Sequence, residues 1–452
     1  MKYSRRSFLE FLGKGSVLGV SSIALAPLLK ACKTSPEVEE VPVYAAQVNF
    51  QSIDALKYDE VRLADGFKQE LLIKFGDPIS DLDYFGTHND YLAFVPLNED
   101  ASEGILWSNH EYLDPILMGT YAPLNEKTKE QVMKEQYAVG GSLLHIKLLD
   151  DKRWELVYGS EYNRRLNGNT VIPFEWDEAI AGSHEAIGTF AGCAGGITPW
   201  GTILSCEENT DQFYGDNIYD ELSGEVIDKL PGDYGWEKHF DYSPEHYGWV
   251  VEVNPEDGSA RKLTSLGRFA HEGCLVVTAK DGRIVAYMGD DHKGGALYKF
   301  IANSTNSLLD GTLYAADTKS GQWLPIDVQQ NKELQKKYKD QLTALIYARE
   351  AALDVGATPL DRPEDIEQDP LTGNIIISLT NNSKVGNYYG SLLRIKENNN
   401  DPSSLNFEAD TLLTGGKETG FACPDNLAFD QNGNLWFATD ISEKYLHKGA
   451  YA

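Results

Sequence analysis

From about residue 190 to residue 440 the chain repeats one unit: a polar cluster, an apolar run, a turn, a second apolar run and another polar cluster. Arg268-Phe269-Ala270-His271-Glu272-Gly273 leads into Cys274-Leu275-Val276-Val277, turns at Asp281-Gly282, runs from Ile284 to Met288 and ends at Gly289-Asp290-Asp291. Arg362 to Glu367, the turn Thr372-Gly373, the run Asn374 to Leu379 and Asn381-Asn382 follow the same plan. So do Cys423-Pro424-Asp425-Asn426, Asn432-Gly433, Leu435-Trp436-Phe437 and Thr439-Asp440. A shorter version runs from Cys193-Ala194-Gly195-Gly196 through Thr202-Ile203-Leu204 to Cys206-Glu207-Glu208-Asn209. The runs are β-branched and aromatic, and Asp-Gly and Asn-Gly suit two-residue hairpin turns. In a hairpin the start of the first strand lies beside the end of the second, so both polar clusters of a unit fall at one end. Several such units line one rim with Cys, Glu, Asp, Asn, Arg and His.

The segments Tyr91 to Val95 and Gly104 to Trp107, ending in Ser108-Asn109-His110-Glu111-Tyr112, add a fifth cluster. Gly141 to Leu149 with Trp154 to Tyr158, and Trp249 to Val253 with Arg261 to Leu263, read as outer strands. Between residues 329 and 353 the pattern changes: Leu334, Tyr338, Leu342 and Leu345 recur at helical spacing, which predicts an inserted amphipathic helix. Inner hairpins with room for outer strands predict an all-β fold, a β-propeller of about six blades. The chain stops soon after the last inner hairpin. Either an N-terminal strand completes the final blade or the propeller stays incomplete at its C-terminus.

Forty basic against 69 acidic residues give a net charge of −29, which excludes nucleic acid as a partner. At the N-terminus, Ser4-Arg5-Arg6-Ser7-Phe8-Leu9 is a twin-arginine pattern before an apolar stretch from Val17 to Leu29. Leu29-Lys30-Ala31-Cys32 has the form of a lipoprotein box with Cys32 as the lipid-bearing residue. The expected organisation is a signal over 1–32, a tether and entry segment over 33–60, and one β-domain over 61–452. The mature protein is then periplasmic or at the cell surface, monomeric, with membrane contact only through a lipid anchor. Cys193, Cys206, Cys274 and Cys423 each sit in or beside a polar cluster. Cys193 and Cys206 flank one hairpin and could pair, but Cys193 as a thiolate ligand fits its setting better.

A lone cluster at a strand end is ordinarily a turn cap; five at equivalent positions call for another cause. Glu207, Glu208, Glu272 and Glu364 beside apolar strands would be costly to bury unpaired, and cations would supply the partner. Glu111, Asn109, Asp290, Asp291, Asp425 and Asn426 are the oxygen donors that calcium takes, whereas Cys193 is too soft for calcium and implies a transition metal. His110, His271 and His292 fit second-shell donors. Arg362 beside Glu364 is either an ion pair or a two-pronged clamp on phosphate.

Taken together, the twin arginines, Asn109-His110-Glu111, Cys193 to Thr202 with Cys206-Glu207-Glu208, Arg268-Phe269 with His271-Glu272, Arg362-Pro363-Glu364 and Pro424-Asp425-Asn426 resemble the PhoX-type alkaline phosphatases from about residue 60 to the end. The resemblance implies a propeller with ferric and calcium ions (Fe3+ and Ca2+) in an axial site that hydrolyses phosphomonoesters. It implies that Cys193, Glu208 and Glu272 contact iron. Glu111, Asp290, Asp291, Glu364 and Asp425 become calcium or bridging ligands, and Arg362 the catalytic phosphate clamp, with Asn109 as a further substrate contact. Asp365 stands where the family usually carries an aromatic residue. Two other readings fit the residues: a calcium propeller hydrolase of lactones or phosphotriesters, and a non-catalytic binding propeller stabilised by calcium.

Overall fold

The computed structural model describes residues 50–54, 60–219 and 226–441. The signal, Cys32, most of the tether and the stretch after residue 441 lie outside the described residues. Among the described residues five antiparallel sheets follow one another along the chain, with two small two-stranded pairs beside them. The first contains β1 (Asn89–Pro96), β2 (Glu103–His110), β3 (Gly140–Leu148), β4 (Trp154–Leu156) and β5 (Arg164–Leu166). A small pair, β6 (Val171–Pro173) and β7 (Glu185–Ile187), precedes the second sheet of β8 (Gly192–Ile197) and β9 (Ile203–Glu207). Another pair, β10 (Asp216–Tyr219) and β11 (Val226–Leu230), comes before that sheet's outer strands, β12 (Val250–Val253) and β13 (Ala260–Lys262). The third sheet runs β14 (His271–Thr278), β15 (Ile284–Asp290), β16 (Leu297–Ala302), β17 (Gly311–Asp317) and β18 (Gln322–Pro325). The fourth holds β19 (Pro363–Gln368), β20 (Ile375–Leu379), β21 (Ser391–Glu397) and β22 (Phe407–Thr414), and the last β23 (Pro424–Phe429) and β24 (Leu435–Thr439).

All five predicted inner hairpins form: β1/β2, β8/β9, β14/β15, β19/β20 and β23/β24. Of their second strands, β9, β15 and β20 are buried at every residue, which is why they read as apolar runs rather than alternating ones, whereas β24 at the end has no fully buried residue. The first strands pack side by side, β1 on β8, β8 on β14, β14 on β19 and β19 on β23. The Gly195-Gly196 pair permits this. A Cβ at Gly196 would stand 2.0 Å from the Cys274 carbonyl oxygen, and one at Gly195 2.3 Å from that of Leu204. At the other end of the chain, Phe50 stacks on Trp436 of the last hairpin at 5.7 Å.

The expected helix over 329–353 is three short ones, Lys332–Lys337, Gln341–Ile346 and Ala348–Val355. The apolar stripe is real: Leu334, Tyr338, Leu342 and Leu345 are all buried. The break comes from Asp340, whose carboxylate caps a new helix by accepting the Thr343 N–H at 2.8 Å, a local bond that competes with continuing the first one. Among the described residues no helix is long and apolar enough to cross a membrane.

Candidate metal and phosphate site

The five inner hairpins end alike. Their last ladder pairs are Asn89 with His110, Gly192 with Glu207, His271 with Asp290, Pro363 with Leu379 and Pro424 with Thr439. One residue further along each first strand stand Asp90, Cys193, Glu272, Glu364 and Asp425. One residue beyond each second strand stand Glu111, Glu208, Asp291, Thr380 and Asp440. The backbone N–H of each of these last five bonds the carbonyl just before its partner strand: His88, Ala191, Ala270, Arg362 and Cys423, at 3.0, 2.9, 3.0, 3.1 and 2.9 Å. Two features aim the side chains. A β-bulge interrupts every first strand at this end, falling one residue later in β14, and a bulge turns a side chain out of the alternating pleat. Before four of the strands the chain also takes a left-handed turn on a residue other than glycine: His88 (φ 41), Ala191 (φ 53), Arg362 (φ 59) and Cys423 (φ 52). Each such residue costs on the order of 1–3 kcal/mol, which packed sheets on either side offset.

Seven carboxyl groups, one thiol and one guanidinium meet there. The Cys193 Sγ lies 3.2 Å from Oε1 of Glu272 and 3.7 Å from Oδ2 of Asp90. Donor atoms of Cys193, Glu208 and Glu272 fall within 4.8 Å of one another, as do those of Asp90, Glu111 and Cys193. Carboxyl groups lie against each other in three pairs, Glu111 with Asp90, Glu208 with Asp291, and Glu364 with Asp425. Burial, followed by the neighbouring carboxylates, pushes Glu111, Glu208, Glu272 and Glu364 well above the usual range, and burial raises Asp425 to about 6. Burial and then the charge of Glu272 likewise push the Cys193 thiol up. Arg362 lies across this centre, its Nε and Nη2 each donating at 2.7 Å to Asp291, with Nη2 also 2.5 Å from Oε1 of Glu364. Burial works against that guanidinium's charge, but Glu364 and Asp291 outweigh it and its pKa rises.

The predicted residues divide. Cys193, Glu111, Glu208, Glu272, Asp291, Glu364, Asp425 and Arg362 are brought together. Asp290 is not among them: fully buried, it accepts two bonds from Arg349 of the inserted helix at 2.6 and 2.7 Å, so a guanidinium stands where a cation was expected. Asn109 is also fully buried, and its amide bonds the Cys193 carbonyl at 2.6 Å, the Trp107 indole and the Ser205 hydroxyl. It braces the strand that carries Cys193 and offers nothing to a substrate. Glu207 needs no metal, because the buried Lys262 ammonium lies 2.6 and 2.8 Å from its two oxygens. Cys193 and Cys206 are both free thiols. His110 bonds Thr87 and Ser142, and His271 bonds the Gly267 carbonyl, so both serve the backbone. Asp90 is the ligand candidate that pattern reading passed over, although it is the second residue of β1 as Cys193 is of β8.

Beside the centre a cavity of about 700 Å³ runs between the first strands, lined by Asp90, Tyr91, Gly195, Leu275, Asp365 and Glu367 among others. Burial raises both Asp365 and Glu367 to about 7. Asp365, at the position where an aromatic residue was anticipated, accepts the backbone N–H groups of Ile366 at 2.8 Å and Leu427 at 2.7 Å, tying β19 to β23.

Among solved structures, the chain is similar to PhoX of Pseudomonas fluorescens in complex with vanadate, a transition state analogue, with a TM-score of 0.77 and 28% identity over 89% of this chain and 85% of that one. Similarity to a protein of unknown function from Dyadobacter fermentans (TM-score 0.33, 12% identity, 79% and 73% covered) is far lower. No curated protein sequence matches. The fold and this likeness define a phosphomonoester hydrolase. Residues 48–450 match the family model described as alkaline phosphatase PhoX, and the chain belongs to that family.

Proposed function

We propose that this phosphatase works with iron and calcium held at the converging hairpin ends, the five sheets being blades of a β-propeller. The observation that carries the reading is the set of three carboxyl–carboxyl contacts in a centre with a single guanidinium. Seven carboxyl groups cannot share so small a volume ionised unless cations neutralise them. Glu364 adds to this: it is 2% exposed and the cation it meets is a guanidinium that Asp291 already shares, Nη2 of Arg362 at 2.5 Å. The donor set fits the two cation types. Cys193 with Glu208 and Glu272 combines a thiolate with carboxylates and suits iron; Asp90, Glu111, Asp291, Glu364 and Asp425 are oxygen donors that suit calcium or bridge to it.

When bound, these cations supply Lewis acidity and neutralise charge on the phosphoryl oxygens. The chain supplies position. Asp291 fixes the guanidinium of Arg362 through a two-pronged bond and Glu364 takes Nη2 from the other side, leaving the two N–H groups of Nη1 for the phosphoryl oxygens. Because the fork is already locked in the free enzyme, little reorganisation is needed as charge builds up during transfer to water.

Export by the twin-arginine route and an anchor at Cys32 complete the reading, and place the enzyme outside the cytoplasm. A binding scaffold has no use for a locked Arg362. The test is p-nitrophenyl phosphate turnover and melting temperature, with and without a calcium chelator. Loss of turnover with a lowered melting temperature, both restored by calcium, supports the reading; an unchanged melting curve removes the cations from it.

A further inference from the structure

The rim next to Arg362 carries cations that the reaction at phosphorus does not use. Asp291 continues into His292 and Lys293, and this segment is bonded alongside the residues leading to Arg362: Gly294 donates to the Leu360 carbonyl at 2.8 Å, Leu360 donates to that of Gly295 at 2.9 Å, and Lys293 faces Asp361. The turn Ser383–Val385 closes over the same place, because Asp361 accepts from both Asn382 and Asn387, at 2.8 and 2.9 Å. That brings Lys384 to the rim and sets the Lys293 ammonium 3.4 Å from the Ser383 hydroxyl.

The acids of this rim are already engaged. Asp290 is held by Arg349, Asp291 by Arg362, and Asp361 by two asparagine amides. Among the described residues no carboxylate stands within 4.0 Å of the ammonium of Lys293 or Lys384. In a chain of net charge −29, two unpaired lysines beside the phosphate clamp are a local reversal of sign. Resting on the phosphatase reading of Arg362, the geometry points to a leaving-group subsite at Lys293 and Lys384 that selects phosphomonoesters whose alcohol part carries a second negative charge.

Matched substrates test this: 3-phosphoglycerate, whose leaving group bears a carboxylate, against glycerol 3-phosphate, which has none. Two unit charges at rim distance predict a kcat/KM ratio of about ten in favour of 3-phosphoglycerate at low ionic strength. The ratio should fall by about threefold in K293Q or K384Q, and toward one in the double variant or in 0.5 M salt, where the screening length drops to about 4 Å. Melting temperature, read alongside, should stay put for both substitutions, since neither ammonium is buried or ion-paired. A wild-type ratio near one, or a ratio that survives the double substitution, overturns the subsite while leaving the phosphatase intact. Absence of turnover on both substrates overturns the phosphatase reading and the subsite with it.

Discussion

Replacing Arg362 by lysine isolates geometry from charge. The guanidinium makes two parallel bonds to Asp291 at 2.7 Å each and contacts Glu364 at 2.5 Å. An ammonium keeps the charge but holds Asp291 through a single point and cannot present a planar fork to phosphate. One charge-assisted hydrogen bond is lost from the transition state, worth about 2–3 kcal/mol, or roughly a 30- to 150-fold fall in kcat/KM. Arg362→Lys should be assayed on p-nitrophenyl phosphate with metal content and melting temperature taken from the same sample. The backbone there is left-handed whichever side chain follows, so folding should be little changed. A fall of less than threefold, with metals retained, would refute the clamp.

Cys193→Ser exchanges a soft ligand for a hydroxyl that stays protonated at neutral pH, so iron should be lost while calcium is largely kept, as elemental analysis would read. Lys262→Met strands the buried Glu207 carboxylate and should cost about 3–5 kcal/mol in denaturant unfolding, partly regained by adding Glu207→Met; a cost under 1 kcal/mol contradicts the pairing. Glu367, raised to about 7 by burial, contributes stability that is fully present below its unfolded value near 4.5 and is lost as pH rises through 7. Glu367→Gln should remove that loss, up to roughly 3 kcal/mol between pH 4.5 and 8; parallel curves for wild type and variant would count against it.

Much of the fold was legible in the chain because turn chemistry and apolar runs are local. The Asp281-Gly282, Thr372-Gly373 and Asn432-Gly433 turns each close a hairpin where the pattern put it. Hairpin geometry alone then carried most of the site, since Cys193, Glu272, Glu364 and Asp425 occupy one position in successive repeats. What sequence could not give was the choice among buried acids. Glu207 and Glu208 are neighbours with the same composition around them, yet strand alternation sends the first to Lys262, 55 residues on, and the second to the centre. Asp290 and Asp291 divide in the same way between Arg349 and Arg362. Long-range partners decide such pairs, and a single chain read in order does not reveal them. The bulges and left-handed turns that aim the ligands are invisible for another reason: His88, Ala191, Arg362 and Cys423 have no shared side-chain chemistry that would announce a positive φ.

The most direct test of the account is elemental analysis of the purified protein, paired with turnover of p-nitrophenyl phosphate by the same sample. The account predicts iron and calcium bound together in active protein, and coordinate loss of calcium and activity in chelator. Full activity in protein that carries neither metal would contradict it.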